Sequence, residues 1–200
     1  GVSSSFPHEW VDVTSNGSGT VQGKNITLPD TATNISVMLG VNNLSETSQM
    51  EQVLNNLHER YKTATIYVNS VYHLGTSYSG DATNSDIDAF NDNIRNFCNQ
   101  NSWAEFIDIT EGLDDDSGNL KSEYCDSSGL HIISQEGKQL LVNNIKSAIS
   151  GSNSSSTNVS MATTSRPGYS IIVANKTKVT TNLIQSYDYI STNYTDVGHN

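Results

Sequence analysis

The stretch "ISVMLG", residues 35–40, decides the fold. It is an apolar run that ends at a glycine, as expected for a strand buried on both faces of a parallel sheet. Residues 45–64 then follow a helical pattern, with one apolar stripe formed by Met50, Val53, Leu54, Leu57 and Tyr61. The chain therefore opens its regular structure with a strand followed by a helix that can pack on the sheet.

Strands and helices continue to alternate along the chain. "TIYVNSV" at 65–71 is rich in β-branched and aromatic residues and predicts a second strand, and "EFIDI" at 105–109 predicts a third. Apolar spacing predicts a helix over 85–99 between them and another after Ser134, which can cap it. This order predicts an α/β fold, a three-layer sandwich with a mostly parallel sheet and right-handed crossovers.

The alternation ends at residue 149, so the chain divides into three parts. Residues 1–149 form the α/β core, and residues 150–168, dominated by Ser, Thr, Asn and Gly, predict a flexible linker. Residues 169–200 predict a strand at 170–174 and a weaker helix over 179–190. A strand and a helix of this length cannot bury their own apolar surface, so we expect them to dock on another element.

The charge balance argues against nucleic acid as a partner. Lys and Arg total 10 against 21 Asp and Glu, giving a net charge of −11, whereas phosphate binding needs clustered cations. No apolar run is long enough for a membrane span. The polarity comes largely from Ser, Thr and Asn, with eight Asn-x-Ser/Thr sequons, and predicts an extracellular or cell-surface location.

The two cysteines, Cys98 and Cys125, leave two interpretations open. Outside the cytosol they could form one disulfide, since the predicted topology brings the end of the second helix near the segment before residue 131. Two free buried thiols are the alternative. We predict the disulfide.

The acidic stretch "DDDSGN", residues 114–119, is interpreted as a solvated turn. Three successive carboxylates could also hold Ca²⁺, but the alternating ligands of a calcium loop are missing. We predict no metal and no cofactor.

Candidate site residues follow the predicted strands. Ligands of an open parallel sheet bind beyond the carboxyl ends of its strands. Asn42 and Asn43 follow the strand at 35–40, and His131 lies on a glycine-bounded turn in "GLHIISQEGKQLL", residues 129–141. A lone histidine is more often structural than catalytic, so His131 gains significance only from its neighbours.

Two motifs resemble one known family. "VMLGVNNL" at 37–44 resembles the G-x-N-D block of the SGNH, or GDSL-type, hydrolases, and "GLHIISQEGKQLL" resembles their D-x-x-H block. The resemblance covers residues 1–149 and implies an SGNH-hydrolase-like, or flavodoxin-like, fold. In this family a serine attacks an ester carbonyl, the histidine takes the serine proton, an aspartate orients the imidazole, and the glycine and asparagine bind the oxyanion.

The resemblance assigns roles to three residues. It implies that His131 is the general base and that Asn42 is an oxyanion donor. It also places Gly1, in "GVSSS", at the position of the second oxyanion group, the family's second-block glycine.

The sequence departs from the family pattern around the histidine. Ser128 stands three residues before His131, where the family has its orienting aspartate, and Asn43 stands in place of the aspartate of the G-x-N-D block. Asp126, two residues before Ser128, is the alternative orienting group.

The nucleophile block is missing from its expected place before Gly1. "SIIVANKTKV" at 170–179 resembles that block in permuted order, with Lys176 where the serine would stand. The resemblance thus implies that residues 169–200 complete the sheet of their own chain or of a neighbouring chain. A truncated chain and the start of an unrelated second domain are the alternatives.

Two main functions follow from these observations. A catalytically degenerate extracellular domain would serve as a structural module, self-associating head-to-tail through residues 169–200, or as a carbohydrate-binding module. Alternatively, an active serine esterase or deacetylase would act on acylated carbohydrate, with its nucleophile outside this segment. A purely structural domain, in which the motifs are fortuitous, is the third interpretation.

Overall fold

The computed structural model describes residues 2, 4–152 and 184–185. In order, its elements are α1 (Pro7–Asn16), β1 (Ser18–Val21), β2 (Lys24–Thr27), β3 (Asn34–Met38), α2 (Thr47–Arg60), β4 (Thr65–Asn69), α3 (Asn84–Asn99), β5 (Ala104–Ile107), α4 (Gln135–Ser152) and β6 (Ile184–Gln185).

The main sheet confirms the predicted α/β class. Its strand order is β5-β4-β3-β6, and every neighbouring pair is parallel. Residues 24–27 form a separate antiparallel hairpin with residues 18–21. The predicted strands at 35–40, 65–71 and 105–109 correspond to β3, β4 and β5, each shorter at its carboxyl end than predicted.

Helices cover both faces of the sheet. Val37 and Met38, adjacent in β3, belong to two different hydrophobic clusters, because successive side chains of a strand point to opposite faces. The first cluster contains Trp10 of α1 together with the apolar stripes of α2 and α3. The second contains Leu141 and Ile145 of α4. No helix among the described residues is long and apolar enough to cross a bilayer.

Helix boundaries follow local chemistry. Ser134 caps α4 as predicted, since its Oγ accepts the backbone N–H of Gly137 at 3.0 Å. The unpredicted helix α1 begins at Pro7 and ends at Gly17, which has a left-handed φ of 84°. Helix α4 continues to Ser152, past the predicted start of the linker at 150.

Two residues of the C-terminal segment extend the sheet. Ile184 and Gln185 pair in parallel with Val37 and Met38 of the same chain. A helix was predicted over 179–190, and that prediction is wrong at these two residues, because the edge of β3 offers backbone N–H and C=O groups for a strand. The predicted strand at 170–174 and Lys176 lie outside the described residues.

The predicted disulfide is not formed. Cys98 and Cys125 are both free thiols. Cys98 points from α3 into the first hydrophobic cluster, whereas Cys125 packs against the second and donates a weak hydrogen bond to Ser122 O at 3.7 Å. The two side chains therefore belong to different layers of the molecule.

Candidate functional site

Three loops meet at one edge of the sheet. Because β3, β4 and β5 run parallel, the segments that follow them, 39–46, 70–83 and 108–134, all start at the carboxyl edge. Asn42 lies on the first of these loops and His131 on the third. The topology thus places both candidate residues on the side of the sheet where ligands of such folds bind.

Asp126 contacts the predicted base. Its Oδ2 lies 2.8 Å from Nδ1 of His131, across a turn closed by backbone hydrogen bonds from Asp126 N to His131 O and from Gly129 N to Asp126 O. Ser128, at the family's aspartate position, instead donates its hydroxyl to Asp126 Oδ1 at 2.6 Å. Asp126 is therefore the carboxylate that contacts His131, and Ser128 hydrogen-bonds to Asp126.

The surroundings of Asp126 favour its ionised form. Burial acts to raise the pKa of this carboxyl group, but hydrogen bonds from Ser128, His131 and the backbone N–H of Leu130 outweigh burial and hold the pKa well below its usual range. An ionised carboxylate accepts hydrogen bonds only. His131 therefore presents an N–H at Nδ1 to Asp126, which leaves Nε2 as the nitrogen that can accept a proton.

The turn that carries His131 is packed tightly against the loop after β4. A Cβ atom at Gly129, whose φ is +70°, would lie 2.6 Å from the backbone nitrogen of Tyr78 and 3.0 Å from Gly75 O. Gly75 N in turn donates to Gly129 O at 2.8 Å. Only glycine allows this approach of two backbones, and the approach fixes the histidine turn relative to Tyr78.

Asn42 is held against the N-terminal segment. Its Nδ2 donates to Ser5 O at 3.0 Å. Ser5 is itself buried, donating its hydroxyl to Val2 O and accepting from Trp10 Nε1, each at 3.1 Å. An asparagine amide nitrogen carries two N–H groups, and only one can point at Ser5. Gly1 lies outside the described residues, although Val2, beside it, is buried.

Asn43 has a structural role in the loop. Its Oδ1 accepts from both the backbone and the hydroxyl of Ser45, and its Nδ2 donates to Glu46 Oε1 at 2.9 Å. Glu46 also accepts from the backbone N–H of His8 at 2.9 Å, near the start of α1. This network fixes the loop that carries Asn42.

A groove lies beside Asn42 at this edge of the sheet. We call it the edge groove: it has a volume of about 650 Å³ and lies between the loops after β3 and β4 and helix α3, and its lining includes Asn42, Asn43, Tyr78, Asp81, Phe90 and Asn93. Tyr78 also contacts Gly129, on the turn of His131. The structure thus links Asn42 to the His131 turn through Tyr78.

A second histidine cluster at this edge was not predicted. His73 Nδ1 lies 2.9 Å from Asp114 Oδ2, and its Nε2 lies 3.0 Å from Asp88 Oδ1. The hydrogen bond to Asp114 raises the pKa of His73 to about 9, although burial acts to lower it, and the bond to Asp88 adds to the increase. The sequence offered one signal for this cluster, the position of His73 just after β4. Its partners Asp88 and Asp114 are 15 and 41 residues away, so no local motif joins them.

The acidic stretch at 114–119 forms a turn. Asp115 Oδ1 accepts the backbone N–H groups of Ser117 at 2.8 Å and Asn119 at 3.0 Å. Within the part of the chain that the structure describes, no three His, Cys, Asp or Glu side chains are grouped so that they could hold a metal ion.

Comparison with known proteins identifies the fold. No family model and no curated protein matches the sequence. A Streptococcus pneumoniae structure described as a platelet activating factor matches with a TM-score of 0.56 at 18% identity, over 72% of this chain and 69% of that chain. A Bacteroides fragilis structure described as an acylhydrolase matches with a TM-score of 0.47 at 16% identity, over 62% of each chain. At this identity the first likeness shows a shared α/β fold.

Proposed function

We propose that this chain carries the general-base and oxyanion half of an acyl-ester hydrolase site of the SGNH type. The 2.8 Å contact between Asp126 and His131 at the carboxyl edge of the sheet carries the proposal. Asn42, in the edge groove, supports it.

The geometry supports a two-step acyl transfer. His131 Nε2 takes the proton of a serine hydroxyl, whose oxygen bonds to the ester carbonyl carbon, and Asn42 donates an N–H to the resulting oxyanion. Asp126 stabilises the imidazolium. The ester bond to the alcohol then breaks, the alcohol leaves with the proton from His131, and water releases the acyl group by the same route. The serine belongs to a segment outside the described residues.

The role of Asp126 favours activity over catalytic degeneracy. The degenerate interpretation rests on Lys176, on Ser128 in place of the aspartate before the histidine, and on Asn43 in place of the aspartate of the G-x-N-D block. Asp126 makes the contact with His131 that the resemblance assigns to an aspartate at position 128. A serine at position 128 is therefore compatible with a working general base. Lys176 lies outside the described residues and gives neither interpretation structural support.

Hydrolysis of p-nitrophenyl acetate by the whole protein tests the proposal. His131→Gln should lower the rate by about 10³-fold or more, because the general base is lost. His73→Gln is the matched control, since it also removes a carboxylate-paired histidine at the same edge, and its rate should stay within about threefold. No hydrolysis by the wild type, or equal rates in wild type and His131→Gln, would overturn the proposal.

A structural role is the second candidate, favoured by strand β6. Pairing of Ile184–Gln185 with β3 supports completion of the sheet by residues 169–200. Donation of this segment to a neighbouring chain would instead build a head-to-tail fibre. An extracellular location is part of this second proposal and rests on the Ser-, Thr- and Asn-rich composition.

A further inference from the structure

We infer that the edge groove binds the uncharged, hydroxyl-rich part of a ligand. The groove has the volume of a small-molecule site, and its described lining combines two aromatic rings, three side-chain amides and two carboxylates with a few aliphatic side chains. Apolar surface with a few convergent polar groups is the usual composition of such sites.

The walls of the groove are preformed. Gly40 has a φ of +132°, and a Cβ there would lie 2.5 Å from the ring of Phe90, so the loop after β3 rests directly on that ring. Asp86, at the start of α3, closes a capping box with Thr83. The loop of Asn43 is fixed by its hydrogen bonds to Ser45 and Glu46. A ligand would therefore meet a groove that needs little reorganisation.

Three lining residues supply the polar contacts. Within the described residues, the structure gives no hydrogen-bond partner to the side chains of Asp81 and Asn93 or to the Tyr78 hydroxyl. Together they offer a carboxylate acceptor, an amide that both donates and accepts, and a phenol that does both. This mixture matches hydroxyl groups, which also donate and accept, and the Tyr78 ring gives an apolar face for the carbon skeleton.

The charges of the groove lining restrict the class of ligand that can bind. Asp81 and Asp86 both line the groove, and none of its described lining residues is Lys, Arg or His. Two carboxylates without a cation repel anionic ligands such as phosphates and uronic acids. Asp86 already accepts two hydrogen bonds from Thr83, and Asp81 is exposed, so neither provides a strong site for a cation. An uncharged ligand remains as the best match.

This inference rests on the proposed function only in naming the ligand as the alcohol portion of the ester. Asn42 lines the groove and is the proposed oxyanion donor, so we assign the groove to the alcohol portion of an ester whose carbonyl lies at Asn42. The binding itself requires no nucleophile and can be measured without turnover.

Side-chain amide resonances provide the test. Titration with methyl glucoside, methyl glucuronide and methyl glucosaminide compares ligands that differ chiefly in charge. We expect methyl glucoside to shift the amide resonances of Asn42 and Asn93, and methyl glucuronide to bind about two- to fivefold more weakly, as expected for exposed charges. Asp81→Asn should reduce this discrimination, and Asn93→Ala should weaken the binding of methyl glucoside.

Asp12→Asn is the matched control for charge, because Asp12 is exposed on α1 and does not line the groove. This variant should leave the ratio of the affinities for methyl glucoside and methyl glucuronide unchanged. Tenfold tighter binding of methyl glucosaminide would identify a cation site, and unshifted resonances at Asn42 and Asn93 would identify no sugar site. Either result would overturn this inference, whereas loss of hydrolysis in His131→Gln would still support the proposed function.

Discussion

Asp126 contacts His131 from five residues earlier in the chain, with 2.8 Å between Oδ2 and Nδ1. The family motif that this segment resembles has an aspartate three residues before its histidine. Here the tight turn through Gly129, with its φ of +70°, brings the more distant Asp126 into contact with His131. An aspartate–histidine contact is therefore present although the spacing of the family motif is not.

Asp126→Asn should lower ester hydrolysis by about 10³- to 10⁴-fold, because a neutral amide stabilises the imidazolium poorly and can favour the wrong tautomer of His131. Ser128→Ala is the control at the position where the family has its aspartate, and its rate should change by less than about tenfold, the effect of one lost hydrogen bond. Initial rates on p-nitrophenyl acetate measure both variants. A larger loss in Ser128→Ala than in Asp126→Asn would contradict the assignment.

The His73 cluster should make stability depend on alkaline pH. Its pKa of about 9 in the folded protein lies above the ordinary value of 6.5, so the stabilisation is fully present below pH 6.5 and is lost as pH rises through 9. The total loss should be on the order of 3 kcal/mol. Urea unfolding between pH 6 and 10 measures it, and His73→Gln should flatten that profile.

The two carboxylates that contact His73, those of Asp88 and Asp114, differ in their exposure to solvent. The side chain of Asp88 is 63% exposed, whereas that of Asp114 is 20% exposed. Asp114→Asn should therefore reduce the pH dependence more than Asp88→Asn, because buried pairs are screened less. The reverse order would show that the cluster is not organised around Asp114.

Gly40→Ala should destabilise the protein by about 2–4 kcal/mol, because it combines a positive φ with a clash against Phe90. Gly23→Ala is the matched control: its φ is +72°, but nothing lies within 4 Å of the added Cβ. This control should cost only about 1 kcal/mol. Equal unfolding free energies of the two variants would show that the Phe90 ring does not rest on Gly40.

Much of the core was predictable because apolar periodicity reflects burial directly. The apolar run of β3 and the stripe of α2 are buried where predicted, β4 is buried from Ile66 onward, and the stripe of α3 is buried except at Phe97, which is half-buried. The hairpin at 18–27 was missed, since its strands are exposed at most positions and have no apolar alternation. The C-terminal helix prediction failed at Ile184 and Gln185 because the sequence does not show that the edge of β3 is available to pair with them as a strand.

The candidate site was predictable only in part. His131 and Asn42 were proposed from motifs and Asp126 was named as a possible orienting group, but the sequence could not decide whether Asp126 reaches His131 or the orienting carboxylate is missing. That choice depends on the geometry of a turn, in which a positive φ at Gly129 is the determining feature. The His73 cluster joins residues distant in sequence, so no local pattern reveals it.

Removal of residues 169–200 should expose the edge of β3 and produce an unstable or aggregating core. The peptide 169–200 added in trans should restore solubility and cooperative melting. Light scattering then measures the mass of the intact chain in solution. A mass of 21.7 kDa indicates that the segment completes the sheet of its own chain, and multiples of that mass indicate donation between chains. A truncated protein that melts like the intact one and stays monomeric would contradict both forms of sheet completion.

Labelling with a fluorophosphonate probe, followed by peptide mapping, tests the central claim most directly, because the probe reacts with a serine only when a general base activates it. We predict that the whole protein is labelled at one serine outside residues 4–152, and that His131→Gln abolishes the labelling while His73→Gln preserves it. Absence of labelling in the wild type, or labelling that is independent of His131, would contradict the account.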